Sequence, residues 1–301
     1  MKNLDVRCAA DSRDDLGEGA MWCPAEQVLY WLNIPMPSRL HRHDPATGRH
    51  ESWAMPEMIT ALAKRRDGTL LIASHHGLNR FDPREGRLIR VAVPEADKPE
   101  NRSNDGAPDA QGRFWMGTMM NNLGPSGEDL PIAAATGALW CVNPDFTFHK
   151  AIDGIMITNG VAWSPDQRTL YVADSAAQVI YAYDFDPASA TVSNRRVFSD
   201  DKSLGYPDGA AVDSEGGLWS ARWEGQCVAR FRPDGRLDFT VPIPAPRVTS
   251  IAFGGRDFRT AYVTTARHGA SAGELARFPR QGSLFAFDSP IAGLPRPQFA
   301  G

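Results

Sequence analysis

The sequence has few cysteines and no long apolar runs, and both absences narrow the class of protein. Cys8, Cys23, Cys141 and Cys227 are the only cysteines in 301 residues, and no two form a Cys-x-x-Cys pair. This spacing disfavours a zinc knuckle or a redox dithiol, so we expect reduced, mostly buried thiols. No stretch approaches the roughly 18 apolar residues of a membrane span, and the first residues lack the apolar core of a secretion signal. We therefore expect a cytoplasmic protein that does not bind a membrane.

The chain also lacks an excess of charge of either sign. Its 32 lysine and arginine residues face 36 aspartate and glutamate residues, which gives a formal net charge of −4. Such a balance offers no basic footprint for nucleic acid and no polybasic patch for a membrane surface. The expected partner is therefore a small molecule, bound by a protein that is a monomer or a small homo-oligomer.

Long helical patterns are missing as well, and short apolar runs alternate with Gly, Pro, Asp and Asn throughout, which is typical of an all-β protein. Six segments share one outline, in which a short strand, a polar turn and a second strand follow one another. The first residues of these repeats are Glu18, Thr60, Asn104, Asn159, Asp208 and Thr249.

These first residues are 41 to 55 positions apart, which is the length of a propeller blade with about four strands. A two-sheet sandwich has fewer strands and no such period. The repeats therefore predict that residues 1–301 form a single six-bladed β-propeller. We expect a strand near residues 4–10 to close the ring by pairing with the last blade near residues 282–288.

The first residue of each repeat precedes the innermost strand pair, so the six equivalent side chains should form a ring around the propeller axis. Glu18, Asn104, Asn159 and Asp208 present carboxylate or amide oxygens there. Two crowded carboxylates repel each other unless a cation lies between them, and oxygen ligands suit a hard divalent ion. The sequence therefore predicts a central metal site, against the alternative that these residues only hold ordered water.

The other polar residues near this ring are expected to play lesser roles. Thr60 and Thr249 should be structural or bind water. His75 and His76 belong to the second repeat and could reach the same mouth, but a histidine pair at a strand end more often forms hydrogen bonds in a loop. No other histidine shares the ring position, so a zinc site made of histidines is not favoured.

Four long motifs on different repeats resemble the senescence-marker protein, gluconolactonase and regucalcin family. They are LGEGAMW near the start, NRSNDGAPDAQGRFWMGTM at 101–119, ITNGVAWSPDQRTLYVADS at 157–175 and GYPDGAAVDSEGGLW at 205–219. The resemblance implies a six-bladed propeller with one divalent metal held by Glu18, Asn159 and Asp208. It also implies that Arg102 and Asn104 bind substrate oxygens, with Asn104 serving mainly the substrate.

One position departs from the pattern of some relatives. They carry an acidic residue shortly after the Gly-Thr-Met stretch, where it contacts substrate hydroxyls, whereas this chain has Asn121 and Asn122. An amide donates as well as accepts, so the bound sugar or its stereochemistry can differ. We expect Asn122 to be a substrate-binding residue.

The resemblance implies hydrolysis of a sugar lactone to an aldonic acid. The metal would polarise the lactone carbonyl, and Asp208 would be the catalytic base for the attacking water. Arg102 would orient the ring, unless it only pairs with a nearby carboxylate such as Asp105. Oxygen ligation admits calcium, manganese, magnesium, iron(II) and, less characteristically, zinc.

Other functions are compatible with the same fold. The propeller also supports hydrolysis of organophosphates or other esters and, in a related fold, strictosidine-synthase-type condensation. A different class is a calcium-binding or scaffold protein without enzymatic activity. That class predicts metal binding without turnover of any lactone.

Overall fold

The computed structural model describes residues 1–301 as six four-stranded antiparallel sheets. One 3₁₀ turn (Lys202–Leu204) and one short helix, α1 (Ala272–Arg277), accompany the strands. The strands in chain order are β1 (Arg7–Ala10), β2 (Gly17–Cys23), β3 (Val28–Asn33), β4 (Arg39–Asp44), β5 (Arg49–Ala54), β6 (Ile59–Lys64), β7 (Leu70–Ser74), β8 (Gly77–Asp82), β9 (Arg87–Ala92), β10 (Asn101–Pro108), β11 (Phe114–Met120), β12 (Gly137–Val142), β13 (Phe148–Ile155), β14 (Thr158–Trp163), β15 (Thr169–Asp174), β16 (Val179–Asp186), β17 (Thr191–Ser199), β18 (Tyr206–Val212), β19 (Leu218–Trp223), β20 (Cys227–Phe231), β21 (Leu237–Pro242), β22 (Val248–Gly254), β23 (Thr260–Thr265) and β24 (Leu284–Asp288).

Each sheet is one blade of a six-bladed β-propeller. The first strand of each blade packs against the first strand of the next, and the contact between β22 and β2 closes the circle. The last sheet has the order β22, β23, β24, β1, so the N-terminal strand completes the final blade. Arg7 pairs with Ala286 and Cys8 with Phe285. The predicted ring closure is confirmed, although the observed strand begins at Arg7 rather than near residue 4.

Every innermost strand contains a bulge at or beside the first residue of its repeat. The pairing register shifts between Glu18 and Met21 in β2 and between Asn159 and Ala162 in β14, for example. Gly19 follows Glu18 with a φ of 62°, a left-handed conformation that glycine adopts at little cost. A bulge redirects a side chain and increases the local twist of its strand. Because of these bulges, the side chains at the six ring positions do not follow the regular alternation of side-chain direction along their strands.

Buried aspartates stabilise the turns after two of the innermost strands. Asp213 accepts hydrogen bonds from the backbone N–H of Gly217 (2.8 Å) and from the indole N–H of Trp219 (2.7 Å). Asp109 accepts from the indole N–H of Trp115 at 2.9 Å in the same way. Both aspartates are completely buried and both are ion-paired with arginine. This shared network explains why the motif Asp-x-x-Gly-x-Leu/Phe-Trp forms a strand, turn and strand.

The cysteines agree with the expectation of free thiols. All four are unpaired, and Cys23, Cys141 and Cys227 are buried while Cys8 is half-buried. No helix in the chain is long and apolar enough to cross a membrane.

Candidate active site

A pocket of about 560 Å³ opens at one end of the propeller channel. The ring residues of β2, β10, β14 and β18 line its floor, and the loop between β11 and β12 lines one wall. Its lining includes every site residue predicted from the sequence, namely Glu18, Arg102, Asn104, Asn122, Asn159 and Asp208. Residues up to 190 positions apart in the sequence therefore share one small volume.

The floor of the pocket carries two carboxylates that repel each other. Burial raises the pKa of Asp208 well above its usual range, and the charge of Asp105 raises it further. Burial also raises the pKa of Glu18, with added repulsion first from Asp208 and then from Asp105. The Gly19 amide donates to Glu18 Oε2 at 2.8 Å, which holds this carboxylate in place. The site is thus rich in negative charge that a cation could neutralise.

Asp105 belongs to this group although the repeat pattern did not identify it. The bulge in β10 sets Asn104 and Asp105 together opposite the single residue Gly117. The Asp105 carboxylate accepts hydrogen bonds from the backbone N–H of Gly106 (2.7 Å) and Val161 (3.2 Å). The alignment of the six repeats predicts one residue per blade at the axis, whereas the bulge in β10 brings Asp105 there as a second one. In the sequence, only the position of Asp105 directly after Asn104 indicates that it lies near the site.

A chain of hydrogen bonds orients the amides of the pocket. Arg102 Nη1 donates to Asn104 Oδ1 at 2.7 Å, and Asn104 Nδ2 donates to Asn159 Oδ1 at 2.9 Å. Asn159 Nδ2 in turn donates to the Ser175 hydroxyl at 2.8 Å. The amide oxygen of Asn104 is therefore engaged by Arg102, while the oxygen of Asn159 faces the pocket floor with a second lone pair.

Arg102 connects this chain to the pocket wall. Its Nη2 donates to Asn122 Oδ1 at 2.7 Å and its Nη1 donates to neutral oxygens, so the alternative pairing with Asp105 is absent. The side chain is buried and its Nε has no partner. Burial lowers the pKa of Arg102 to about 10, so it stays charged at neutral pH. Asn121 instead hydrogen-bonds the backbone of Leu123 and belongs to the loop.

The other polar residues that the sequence placed near the ring, two threonines and two histidines, lie outside the pocket. Thr60 hydrogen-bonds the Ser103 hydroxyl at 2.7 Å, and Thr249 donates to the Gly17 carbonyl at 2.5 Å, as expected of structural residues. His75 and His76 stack on each other with ring centroids 4.3 Å apart. They line a separate cavity behind Arg102, not the axial pocket.

His268 was missed from the sequence and lies at the rim of the pocket. Its Nδ1 is 3.0 Å from Asp15 and its Nε2 is 2.9 Å from Asp129, which belongs to the loop between β11 and β12. The hydrogen bond to Asp15, followed by that to Asp129, raises the pKa of His268 to about 9. A charged imidazolium thus connects the loop that carries Asn122 to the opposite rim. Because His268 is a single histidine outside the repeats, no sequence pattern predicts its position at the pocket.

We expect His268→Gln to loosen this loop at neutral pH. Because the folded pKa is raised, the stabilisation by His268 is fully present below about pH 6.5 and is lost as the pH rises through about 9. Amides of residues 123–131 should exchange at least about tenfold faster in the variant at pH 7, and the difference should vanish near pH 10. Hydrogen exchange measured by mass spectrometry checks this, with His76→Gln as the control. Equal exchange in wild type and variant at pH 7 would contradict the expectation.

The donor set on the floor fits a hard cation. The structure contains no group of three or more His, Cys, Asp or Glu side chains arranged as metal ligands. A cation there would therefore need an amide oxygen beside the carboxylates, and Glu18, Asp208 and Asn159 supply three oxygen donors of that kind. Oxygen-only ligation is what calcium, magnesium and manganese prefer.

Fold and pocket together define a class of protein: a six-bladed β-propeller with an axial pocket whose lining combines carboxylates, amides and one arginine with apolar side chains. The family described as SMP-30/Gluconolactonase/LRE-like region matches residues 16–267. The chain belongs to this family.

Full-length relatives agree with that assignment. The chain is 35% identical to a 6-deoxy-6-sulfogluconolactonase of Pseudomonas putida, with 99% of this chain and all of the relative covered. It is also 35% identical to a pentonolactonase of Haloferax volcanii, over 98% of each chain. The crystal structure of a calcium-binding protein, regucalcin, from Agrobacterium tumefaciens superimposes with a TM-score of 0.91 at 30% identity over all of both chains.

Proposed function

We propose that this protein is a metal-dependent lactonase that hydrolyses a sugar lactone to the corresponding aldonic acid. The observation that carries the proposal is the meeting of Glu18, Asp208 and the Asn159 oxygen beside the Arg102–Asn104–Asn122 group in one pocket. Two relatives that are 35% identical over nearly their whole length are named as lactonases of sugar acids. A pocket of about 560 Å³ is large enough for a monosaccharide lactone.

We assign Glu18, Asn159 and Asp208 as the residues that would hold one divalent cation. Their oxygens lie in a pocket where burial penalises two uncompensated negative charges. A bound divalent cation supplies Lewis-acid polarisation of the lactone carbonyl. Calcium, manganese, magnesium, iron(II) and zinc are all candidates, and a relative described as calcium-binding places calcium among the first to test.

Asp208 is the proposed general base. A ligating carboxylate has a second oxygen, which can accept the proton of a water molecule that attacks the lactone carbonyl. Its pKa is raised by burial here and falls again once a positive charge lies beside it, so it is a weak base in the loaded enzyme. Lactones are reactive internal esters, and a weak base suffices for them.

Arg102 and Asn122 are the proposed substrate clamp. Asn122 uses its Oδ1 to accept from Arg102, which leaves its Nδ2 available to donate to a sugar hydroxyl. The unpartnered Nε of Arg102 is a further buried donor. Asn104 fixes the orientation of Arg102 and contributes to the same polar wall.

Arg102→Ala should weaken lactone binding without weakening cation binding. The variant loses charge-assisted hydrogen bonds on the wall of the pocket but none of the three proposed ligands, so we expect KM to rise about 10- to 100-fold. Steady-state kinetics and a calorimetric cation titration measure the two effects separately. A large loss of cation affinity with unchanged KM would show that Arg102 belongs to the metal site instead.

A pH-drop assay tests the function itself. The chelated protein is loaded in turn with each candidate metal and offered glucono-, xylono-, arabinono- and galactonolactone. A phosphotriester substrate serves as the comparison for an organophosphate hydrolase. Turnover of a lactone that disappears on chelation is the expected result. Cation binding without turnover of any lactone would instead identify a calcium-binding protein without enzymatic activity.

A further inference from the structure

The last residues of the chain form a strap, residues 291–301, across the channel end opposite the pocket. Leu294 donates its backbone N–H to Val212 at the end of β18 (3.2 Å), and Phe299 donates to Lys64 at the end of β6 (2.9 Å). Both strands run from the level of the ring, at Thr60 and Asp208, toward the strap. The strap thus closes the channel behind the candidate active site.

Arg296 reaches from this strap into the channel. Its Nη2 donates to the Gly106 carbonyl at 2.6 Å and its Nη1 to the Ala20 carbonyl at 3.3 Å. Gly106 and Ala20 each lie two residues beyond a ring position, Asn104 and Glu18 respectively. The guanidinium therefore lies on the strap side of the ring, about two residues further along β2 and β10.

Arg296 lies beside Asp105, because its guanidinium donates to the carbonyl of Gly106, the next residue in the chain. Burial lowers the pKa of Arg296, and the Asp105 carboxylate opposes that effect, which places the two charges within electrostatic reach. Asp105 also acts on Glu18 and Asp208 above it. Three carboxylates therefore share the axis, with Arg102 on the pocket side and Arg296 on the strap side. Both arginines donate to neutral oxygens rather than to a carboxylate, Arg102 to side-chain amides and Arg296 to backbone carbonyls.

We propose that the positive charge of Arg296 limits the affinity of the axial site for a divalent cation. The inference rests on the cation site proposed above and concerns a residue outside it. A fixed positive charge below the ring offsets Asp105 and repels a cation bound at Glu18, Asn159 and Asp208. The carboxylates then hold a cation without trapping it, so the loaded and metal-free forms can exchange.

The proposal predicts the unusual result that removing an ordered side chain tightens binding. Arg296→Gln keeps an N–H donor for one carbonyl but removes the charge, and we expect its affinity for Mn²⁺ and Ca²⁺ to rise about three- to tenfold. Arg296→Lys keeps the charge and should bind within about twofold of wild type. Asp105→Asn removes a negative charge and should bind about three- to tenfold more weakly. Isothermal titration calorimetry of the metal-free wild type and the three variants measures their cation affinities without any substrate.

Arg65→Gln is the control for a merely structural role of the strap. Arg65 Nε donates to the Gly301 carbonyl at 2.6 Å, so this variant loosens the strap away from the axis while Arg296 remains. Its melting temperature should fall while its cation affinity stays unchanged. If Arg296→Gln does not fold, Arg296→Met, which has a side chain of similar reach, takes its place.

The outcomes separate this inference from the proposed function. Tighter binding by Arg296→Gln together with unchanged Arg296→Lys supports the inference. Unchanged or weaker binding by Arg296→Gln, with normal binding by wild type, would overturn the inference and leave the proposed function standing. Absence of any cation binding by wild type would overturn the metal site and this inference with it.

Discussion

Asp208→Asn is expected to lower kcat by about 10² to 10⁴ even when the variant is saturated with metal. The asparagine keeps an oxygen for the cation but cannot accept the proton of the attacking water. Because one negative charge is lost, the variant should also need more metal for saturation. Asp208→Ala lacks both the ligand and the base and should lose activity at every metal concentration. Kinetics of both variants across a metal titration separate the two roles of this residue.

Asp174→Asn is the matched control for this prediction. Asp174 accepts hydrogen bonds from the backbone N–H of Met156 (3.1 Å) and Ile157 (3.2 Å), and it is buried close to the pocket. Its replacement should cost some stability and leave kcat within a few-fold of wild type. Near-normal turnover of metal-saturated Asp208→Asn would mean that Asp208 is only a ligand and that another group removes the proton.

Glu18→Gln is expected to weaken cation binding by about 100-fold or more, because an anionic ligand is replaced by a neutral one. The same change should stabilise the metal-free protein at neutral pH. The raised pKa values of Glu18 and Asp208 mean that their contribution to stability is fully present below about pH 4 and is lost as the pH rises through the folded values. The variant removes one of the repelling charges, so its metal-free form should lose less stability above about pH 4. Calorimetric titration and chemical denaturation in chelator measure the two effects.

Thr249→Val supplies a control at the same ring position. Thr249 donates to the Gly17 carbonyl and can accept from the Thr264 hydroxyl 2.9 Å away, so its loss should cost about 1–3 kcal/mol of stability. Cation affinity should not change, since Thr249 does not line the pocket. If Glu18→Gln bound cations as well as Thr249→Val does, Glu18 would not be a ligand.

Much of the fold could be predicted because a propeller repeats one local pattern. Each blade is a strand, turn and strand of consecutive residues, and the Asp-to-Trp networks at Asp109 and Asp213 form within one repeat. Aligning the repeats therefore indicated the number of blades, the closure by the N-terminal strand and the common register of Glu18, Asn159 and Asp208.

The tertiary structure decided what the repeats do not encode. The bulge in β10 brings Asp105 beside the carboxylates of Glu18 and Asp208, although register alone assigned that blade a single axial residue. The orientation of Asn104 follows from its bonds to Arg102 on its own strand and to Asn159 on the next blade. His268 and Arg296 lie outside the repeated segments, and long-range packing brings His268 to the rim of the pocket and Arg296 to the axis. Local periodicity in the sequence specifies each blade, whereas the charge around the axis depends on side chains that meet only after the ring has closed.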